Sequence, residues 1–260
     1  MDIGILKNTI TVESCSELLI QLKAPVMAST FVTLASDPTY QNMTLVEAVA
    51  TMASRELDSR DAKRQERYLQ RSGLRELSVW NQADITNVII TKERNLKELE
   101  LRRLMGCEWI DNGSNVMISG ATGTGKSWIL AVLGKQACTN GYRTQYYRYA
   151  RLLELIADAR EHRESASFRR NLNKHRLLII DDFGTSSISD DLASDLLTVL
   201  EEREGSDSIM IASQLPLDEW HHSLGGSRNA DAIMDRLINS SYRFELGGPS
   251  LRERNAVNPR

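Results

Sequence analysis

A lysine, a serine and two adjacent aspartates are the residues of this chain whose spacing points to chemistry. Residues 120–127 read GATGTGKS, which satisfies G-x-x-x-x-G-K-[ST] from Gly120 through Gly125 and Lys126 to Ser127. Gly120, Gly123 and Gly125 let the backbone curl around an anion with its amides turned inward, and Ala121, Thr122 and Thr124 complete that cradle. Lys126 supplies a mobile charge for β- and γ-phosphates, and Ser127 a hydroxyl for Mg²⁺. Trp128 stands in the first turn of the following helix, whose positive dipole end faces the same anion.

Residues 177–183, LLIIDDF, are an apolar run ending in two carboxylates. Central strands of parallel sheets have this texture, and their carboxyl ends form the ligand crevice. Asp181 is placed to hold Mg²⁺ and Asp182 to polarise an attacking water. An aspartate after a strand also suits a helix N-cap, and that reading stays open beside the catalytic one. SIMIASQLP ends another strand with Ser213-Gln214. Gln214 is the candidate for touching the γ-phosphate or the water, with Ser213 second and a plain turn before Pro216 the alternative.

Elements that would position these groups follow from periodicity. From residue 115 short apolar runs alternate with helical patterns, which argues for a parallel sheet covered by helices on both faces. The strand at 115–119 precedes the glycine loop and a helix follows it, as phosphate binding requires. Upstream, Leu18, Leu19 and Leu22, then Leu45, Val46, Val49, Ala50, Ala53 and Leu57, recur at helical spacing, with breaks at Asp37-Pro38 and Ser72-Gly73. The expectation is an α/β phosphate-loop domain over 115–260, a smaller all-α domain over 1–80, and a linker over 81–114.

The 260 residues carry a formal net charge of −3, so affinity for nucleic acid would have to come from local patches. Cys15, Cys107 and Cys138 lack metal-ligand spacing and read as reduced thiols. No apolar run reaches the ~20 residues that span a bilayer, and no secretory signal is visible, so a cytoplasmic protein without a membrane partner is expected. The histidines do not form a metal set.

The residues also resemble a known family, the IstB-type transposition helper ATPases, relatives of the DnaC-type helicase loaders within the AAA+ initiator clade. The resemblance runs through MTLVEAVATMASRELDSRDAKRQERYLQRSGLR, CEWIDNGSNVMISGATGTGKSWIL, LLIIDDFG, ASQLPLDEWH and ADAIMDRLINSSYRFELGGPSLRER. It implies an AAA+ fold, ATP and Mg²⁺ as cofactors, and a homo-oligomer with active sites at subunit interfaces. It further implies assembly on duplex DNA with little sequence preference, in the bacterial cytoplasm at the nucleoid, and recruitment or stimulation of a partner transposase.

Carried over by residue, Arg236 in DAIMDRL stands at the family's arginine finger, which reaches a neighbour's γ-phosphate. A helix-surface ion pair with Asp231 or Asp235 is its bland alternative. Arg252 in GGPSLRER stands near a second sensor arginine, as a residue for binding nucleotide. The residues after it are too few for a helical lid, so little or no lid is expected, and whether Arg252 acts in cis, in trans or not at all stays open.

Two basic stretches are candidates for DNA. Arg60, Lys63, Arg64, Arg67, Arg71 and Arg75 recur at spacings of three and four, interleaved with acids that equally suit a solvated helix face. The second contains Tyr149, Arg169, Arg170 and Lys174, where phosphate contacts and core-edge packing compete. A DnaC-like helicase loader is the alternative function, and a metabolic phosphate-loop kinase a more distant one.

Overall fold

The computed structural model describes residues 10–251. The chain divides between Gln65 and Glu66 into two compact units.

The first unit is helical. α1 (Val12–Gln21) opens on a reciprocal cap between Thr11 and Ser14. α2 (Pro25–Ser36) starts on a proline and lacks a side-chain cap of its own. The buried carboxylate of Glu56 supplies one from a distance, accepting the amides of Val26 at 2.8 Å and Met27 at 3.1 Å. An anion there offsets both the orphan N–H groups and the helix dipole. Burial raises the Glu56 pKa, but the Met27 amide, Arg60 and the Val26 amide outweigh it, and the net shift is downward. α3 (Leu45–Arg71) begins with a capping box, Thr44 and Glu47 bonding each other's backbone amides. It stops where Gly73 takes the left-handed conformation at φ +74. The apolar periodicity of these helices does not close a core inside the unit. Leu18, Leu22, Leu45, Val46, Val49 and Leu57 are all exposed, and Ala24 and Ala28 are its buried apolar residues.

In the second unit, α4 (Glu98–Leu104) and α5 (Glu108–Asp111) precede β1 (Asn115–Gly120) and α6 (Lys126–Thr139). β2 (Thr144–Arg148), α7 (Tyr149–Glu161), α8 (Ser165–Leu172), β3 (Leu177–Asp181), α9 (Asp190–Glu201) and β4 (Ser208–Ser213) follow. α10 (Trp220–Ser223), α11 (Arg228–Ile238) and β5 (Ser241–Leu246) complete it. The five strands are all parallel, in the order β2-β3-β4-β1-β5.

Side chains alternate along each strand, and both faces are covered. Val116 and Ile118 of β1, Leu177 and Ile179 of β3, and Met210 and Ala212 of β4 pack with α6 on one face. Met117, Leu178, Ile180, Ile209 and Ile211 face α7, α9 and α11 on the other.

Residues 81–114 are not a linker. Leu96, Leu101, Leu104, Trp109 and Ile110 are buried in the α6-side core, as are Leu74 and Leu77 from the expected helical domain. Short 3₁₀ turns with unevenly spaced apolar residues carry no strong period, so the sequence pattern conceals this layer. Among the described residues, no helix is long and apolar enough to cross a membrane.

Candidate functional site

The glycine loop joins the carboxyl end of β1 to the amino end of α6. Its three glycines take positive φ, at +147 for Gly120, +85 for Gly123 and +92 for Gly125. A Cβ built on Gly120 would lie 2.3 Å from the carbonyl of Leu246, so the loop turns directly against the end of β5. Lys126 is buried, and its ammonium donates to the carbonyls of Gly120 at 2.7 Å and Ala121 at 2.9 Å. Thr124 bonds the Ala121 carbonyl at 2.8 Å and holds the curl closed.

β3 brings the acidic pair to the same rim. Ser127 donates to Asp181 Oδ2 at 3.2 Å. The Tyr146 hydroxyl reaches the same oxygen at 3.4 Å, and the Asp182 amide bonds Oδ1 at 2.9 Å. Burial, and then the charge of Asp182, push the Asp181 pKa up. A buried, hydrogen-bonded carboxylate beside a serine hydroxyl is a donor set that fits Mg²⁺, whose charge would relieve that destabilised anion.

Asp182 takes the left-handed conformation at φ +56. That backbone is uncommon for a residue other than glycine and tends to occur at functional sites. It does not open a helix as an N-cap; α9 begins eight residues later, capped by Ser189. β4 delivers Gln214 to the gap: Thr122 Oγ1 donates to Gln214 Oε1 at 2.8 Å, and Gln214 Nε2 to Asp182 Oδ1 at 3.3 Å. Ser213 instead turns inward, donating to the Phe183 carbonyl at 2.7 Å. Loop, acidic pair and strand-end glutamine thus form one connected rim.

Other expected residues lie elsewhere. The Trp128 indole donates to the Asp84 carbonyl at 3.4 Å and packs on the α6-side core. Arg236 sits near the end of α11, where its carbonyl accepts from Asn115 at the start of β1. Five residues of strand separate Asn115 from Gly120, about 16 Å of rise, so the Arg236 backbone stands at the opposite end of β1 from this chain's own loop. Its guanidinium pairs with Glu201 at 2.7 Å and Glu204 at 3.5 Å, not with Asp231 or Asp235. Arg252 lies outside the described residues; the amide of Leu251, just before it, bonds the Gly123 carbonyl at 2.9 Å.

Tyr149 is not available to DNA. It is fully buried, its ring 4.7 Å from that of Phe183. Arg60 is tied to Glu56 and the Lys23 carbonyl, Arg64 to Asp61, and Arg169 to Glu202 at 2.6 Å. Lys63, Arg67, Arg71, Arg170 and Lys174 are exposed. Two residues of the site had no motif to mark them. Tyr146 supports Asp181 from β2, and Arg148 interacts with the Tyr146 hydroxyl and the charges of Asp182 and Asp181. Register explains both, since β2 pairs with β3 so that Arg148 stands opposite Asp181.

Comparison with known proteins agrees with this geometry. A protein of Sinorhizobium fredii named as an insertion sequence ATP-binding protein is 35% identical over 226 residues, 87% of this chain and 90% of its own length. Among solved structures, a DNA replication initiation factor superposes with a TM-score of 0.56 at 18% identity, over 69% of this chain but only 57% of that one. The DnaC helicase loader gives 0.55 at 17% identity, over 64% of this chain and 97% of its own. These structural likenesses establish the fold: a parallel phosphate-loop sheet covered by helices. The family model described as IstB-like ATP binding protein matches residues 17–258, nearly the whole chain, and the protein belongs to that family.

Proposed function

We propose that this chain binds ATP with Mg²⁺ in the 120–127 loop and hydrolyses it. In its ATP state it assembles on duplex DNA, as the ATP-dependent helper of an insertion-sequence transposase. The observation that carries the enzymatic part is the connected rim: Ser127 on Asp181, and Thr122–Gln214–Asp182 across the mouth of the loop. In this reading the loop amides and Lys126 hold the β- and γ-phosphates. Ser127 and Asp181 would hold the metal, which would supply positive charge against the developing negative charge. Asp182 orients the attacking water and accepts its proton, while Gln214 holds Asp182 and senses the γ-phosphate.

Assembly is supported by two features. Arg236 lies too far from its own loop to serve it, and suits a neighbour's site once released from Glu201 and Glu204. The exposed Leu45, Val46, Val49 and Leu57 form a helical stripe that a second chain could cover. DNA would meet the exposed cations Lys63, Arg67 and Arg71, or Arg170 and Lys174, through phosphates and with steep salt dependence. A relative named for an insertion sequence, similar along most of the chain, favours this reading over a helicase loader, whose likeness is one of fold. A cytoplasmic site of action, at the nucleoid, follows from ATP and DNA as ligands.

The test measures labelled-ATP binding, turnover with and without duplex DNA, and particle size by electron microscopy. Lys126→Ala should lose ATP binding by about 100-fold or more, since charge-assisted bonds to two phosphates go with it. Undiminished binding by that variant would remove the loop from the mechanism. Capture of a replicative helicase rather than a transposase would favour the loader reading.

A further inference from the structure

Arg94 is almost completely buried, 3% exposed, in the 3₁₀ turn at Lys92–Arg94. Its guanidinium reaches the back of the glycine loop. One terminal nitrogen donates to the Thr124 carbonyl at 2.7 Å and the other to the carbonyl of Ile89. A Cβ on Gly125 would fall 2.5 Å from that first nitrogen, so loop and guanidinium are in direct contact. The Arg94 carbonyl in turn accepts the Gly247 amide at 3.1 Å, beyond the end of β5.

The charge is unpaired and lies directly against the glycine loop. Among the described residues no carboxylate lies within ion-pair distance of Arg94, and its buried Nε lacks a hydrogen-bond partner. Buried arginines normally find an acid, because an uncompensated charge away from water is costly. Burial accordingly lowers the Arg94 pKa. Arg203, the other buried arginine among the described residues, also has an orphan Nε and no ion pair, but it donates to three carbonyls at the sheet's opposite end and feels the charge of Asp207.

We propose that Arg94 is the internal counter-charge of the phosphate loop, a buried cation behind the Gly123–Gly125 backbone whose missing anion is the polyphosphate of the bound nucleotide. This rests on the loop being the nucleotide site, and adds a residue outside the motif that sets how strongly binding depends on phosphate charge. Its bond to the Thr124 carbonyl also fixes the loop curl, so Arg94 acts as a positioning residue through the backbone as well as through its field. Charge–charge energy scales with ligand charge, so its contribution grows from AMP to ADP to ATP. A brace that only shapes the loop would affect the nucleotides that occupy it alike.

The experiment compares Arg94→Met and Arg94→Lys with the parent full-length chain, by calorimetric binding of ATP, ADP and AMP and by melting of the nucleotide-free protein. Arg94→Met should lower ATP affinity by about tenfold or more and AMP affinity by less than about threefold, with ADP between. Arg94→Lys, which keeps the charge without the fork, should recover most of the ATP-over-AMP preference. Equal losses for the three nucleotides in Arg94→Met, or a lysine variant no more ATP-selective than the methionine one, would overturn the counter-charge. If Arg94→Met does not fold, the lysine variant alone decides: an ATP-over-AMP ratio within about threefold of the parent supports the proposal and a collapse of that ratio refutes it. Absence of nucleotide binding in the parent chain would instead refute the site assignment, and the role of Arg94 with it.

Discussion

At the scale of single residues, the two aspartates have separable tasks because their surroundings differ. Asp181 is buried with its pKa raised by burial and by Asp182, so without a cation beside it its ionisation works against folding. By linkage, a carboxyl with a raised folded-state pKa contributes stability below its unfolded pKa and loses it as pH rises through the folded value. A cation held beside the carboxylate would restore that loss. Asp181→Asn is therefore expected to leave the melting temperature of the nucleotide-free protein unchanged or a few degrees higher, while Mg²⁺-dependent turnover falls to background. A drop of several degrees in scanning calorimetry would contradict this. Asp182→Asn keeps the Gln214 contact in reach but removes the base. ATP binding should persist while turnover falls by about 10²-fold or more, the usual scale for a general base. Normal hydrolysis by that variant would shift the role to another group.

Between residues and the whole molecule stand the elements that aim these groups. β1 ends at Gly120, where φ is +147 and an added Cβ would lie 2.3 Å from the Leu246 carbonyl, leaving no room for a side chain. Because the obstructing atom is backbone of β5, Gly120→Ala must shift a strand or the loop. A loss of about 2–4 kcal/mol is expected, from left-handed strain and the clash together, and is read by urea unfolding. ATP affinity should fall as well. A fully stable Gly120→Ala protein with wild-type affinity would mean that the loop is not pinned against β5. The sequence pattern foretold the alternation of strands and helices in this unit, because buried parallel strands and amphipathic helices have distinct periods. It missed the layer from Leu74 to Ile110, whose apolar residues are spaced by irregular turns. It also missed Arg94, Tyr146 and Arg148, which are brought to the site by packing and by strand register.

For the whole molecule, the placement of Arg236 decides whether one chain suffices. Since Arg236 lies about 16 Å of strand from its own loop, turnover should depend on assembly. Arg236→Ala should bind ATP normally yet lose about 10³-fold of assembly-stimulated turnover, the scale of an arginine finger. Unchanged turnover in particles of normal size would return Arg236 to a structural ion pair with Glu201.

Acid stability of the second unit is a molecular property to which a buried histidine contributes. His175, between α8 and β3, has its pKa pushed down to about 4 by burial and by the charge of Arg143. A histidine held neutral stabilises the fold above its unfolded pKa of about 6.5, and that contribution is lost as pH falls through the folded value near 4. Melting temperature should decline over this window, and His175→Gln should flatten the decline. An unchanged pH profile would remove His175 as its cause.

The chain's sequence alone determined the glycine loop, the acidic pair, the alternating architecture and the family. Each is written in local spacing, because phosphate binding and strand burial place their demands on neighbours in sequence. Tertiary structure decided that Gln214 meets Asp182, that Tyr149 is core, and that Arg236 faces away from its own loop. It also placed the unpaired Arg94 behind the glycines. Those relations join residues far apart in the chain, and only the register of the sheet and the packing on its faces can bring them together.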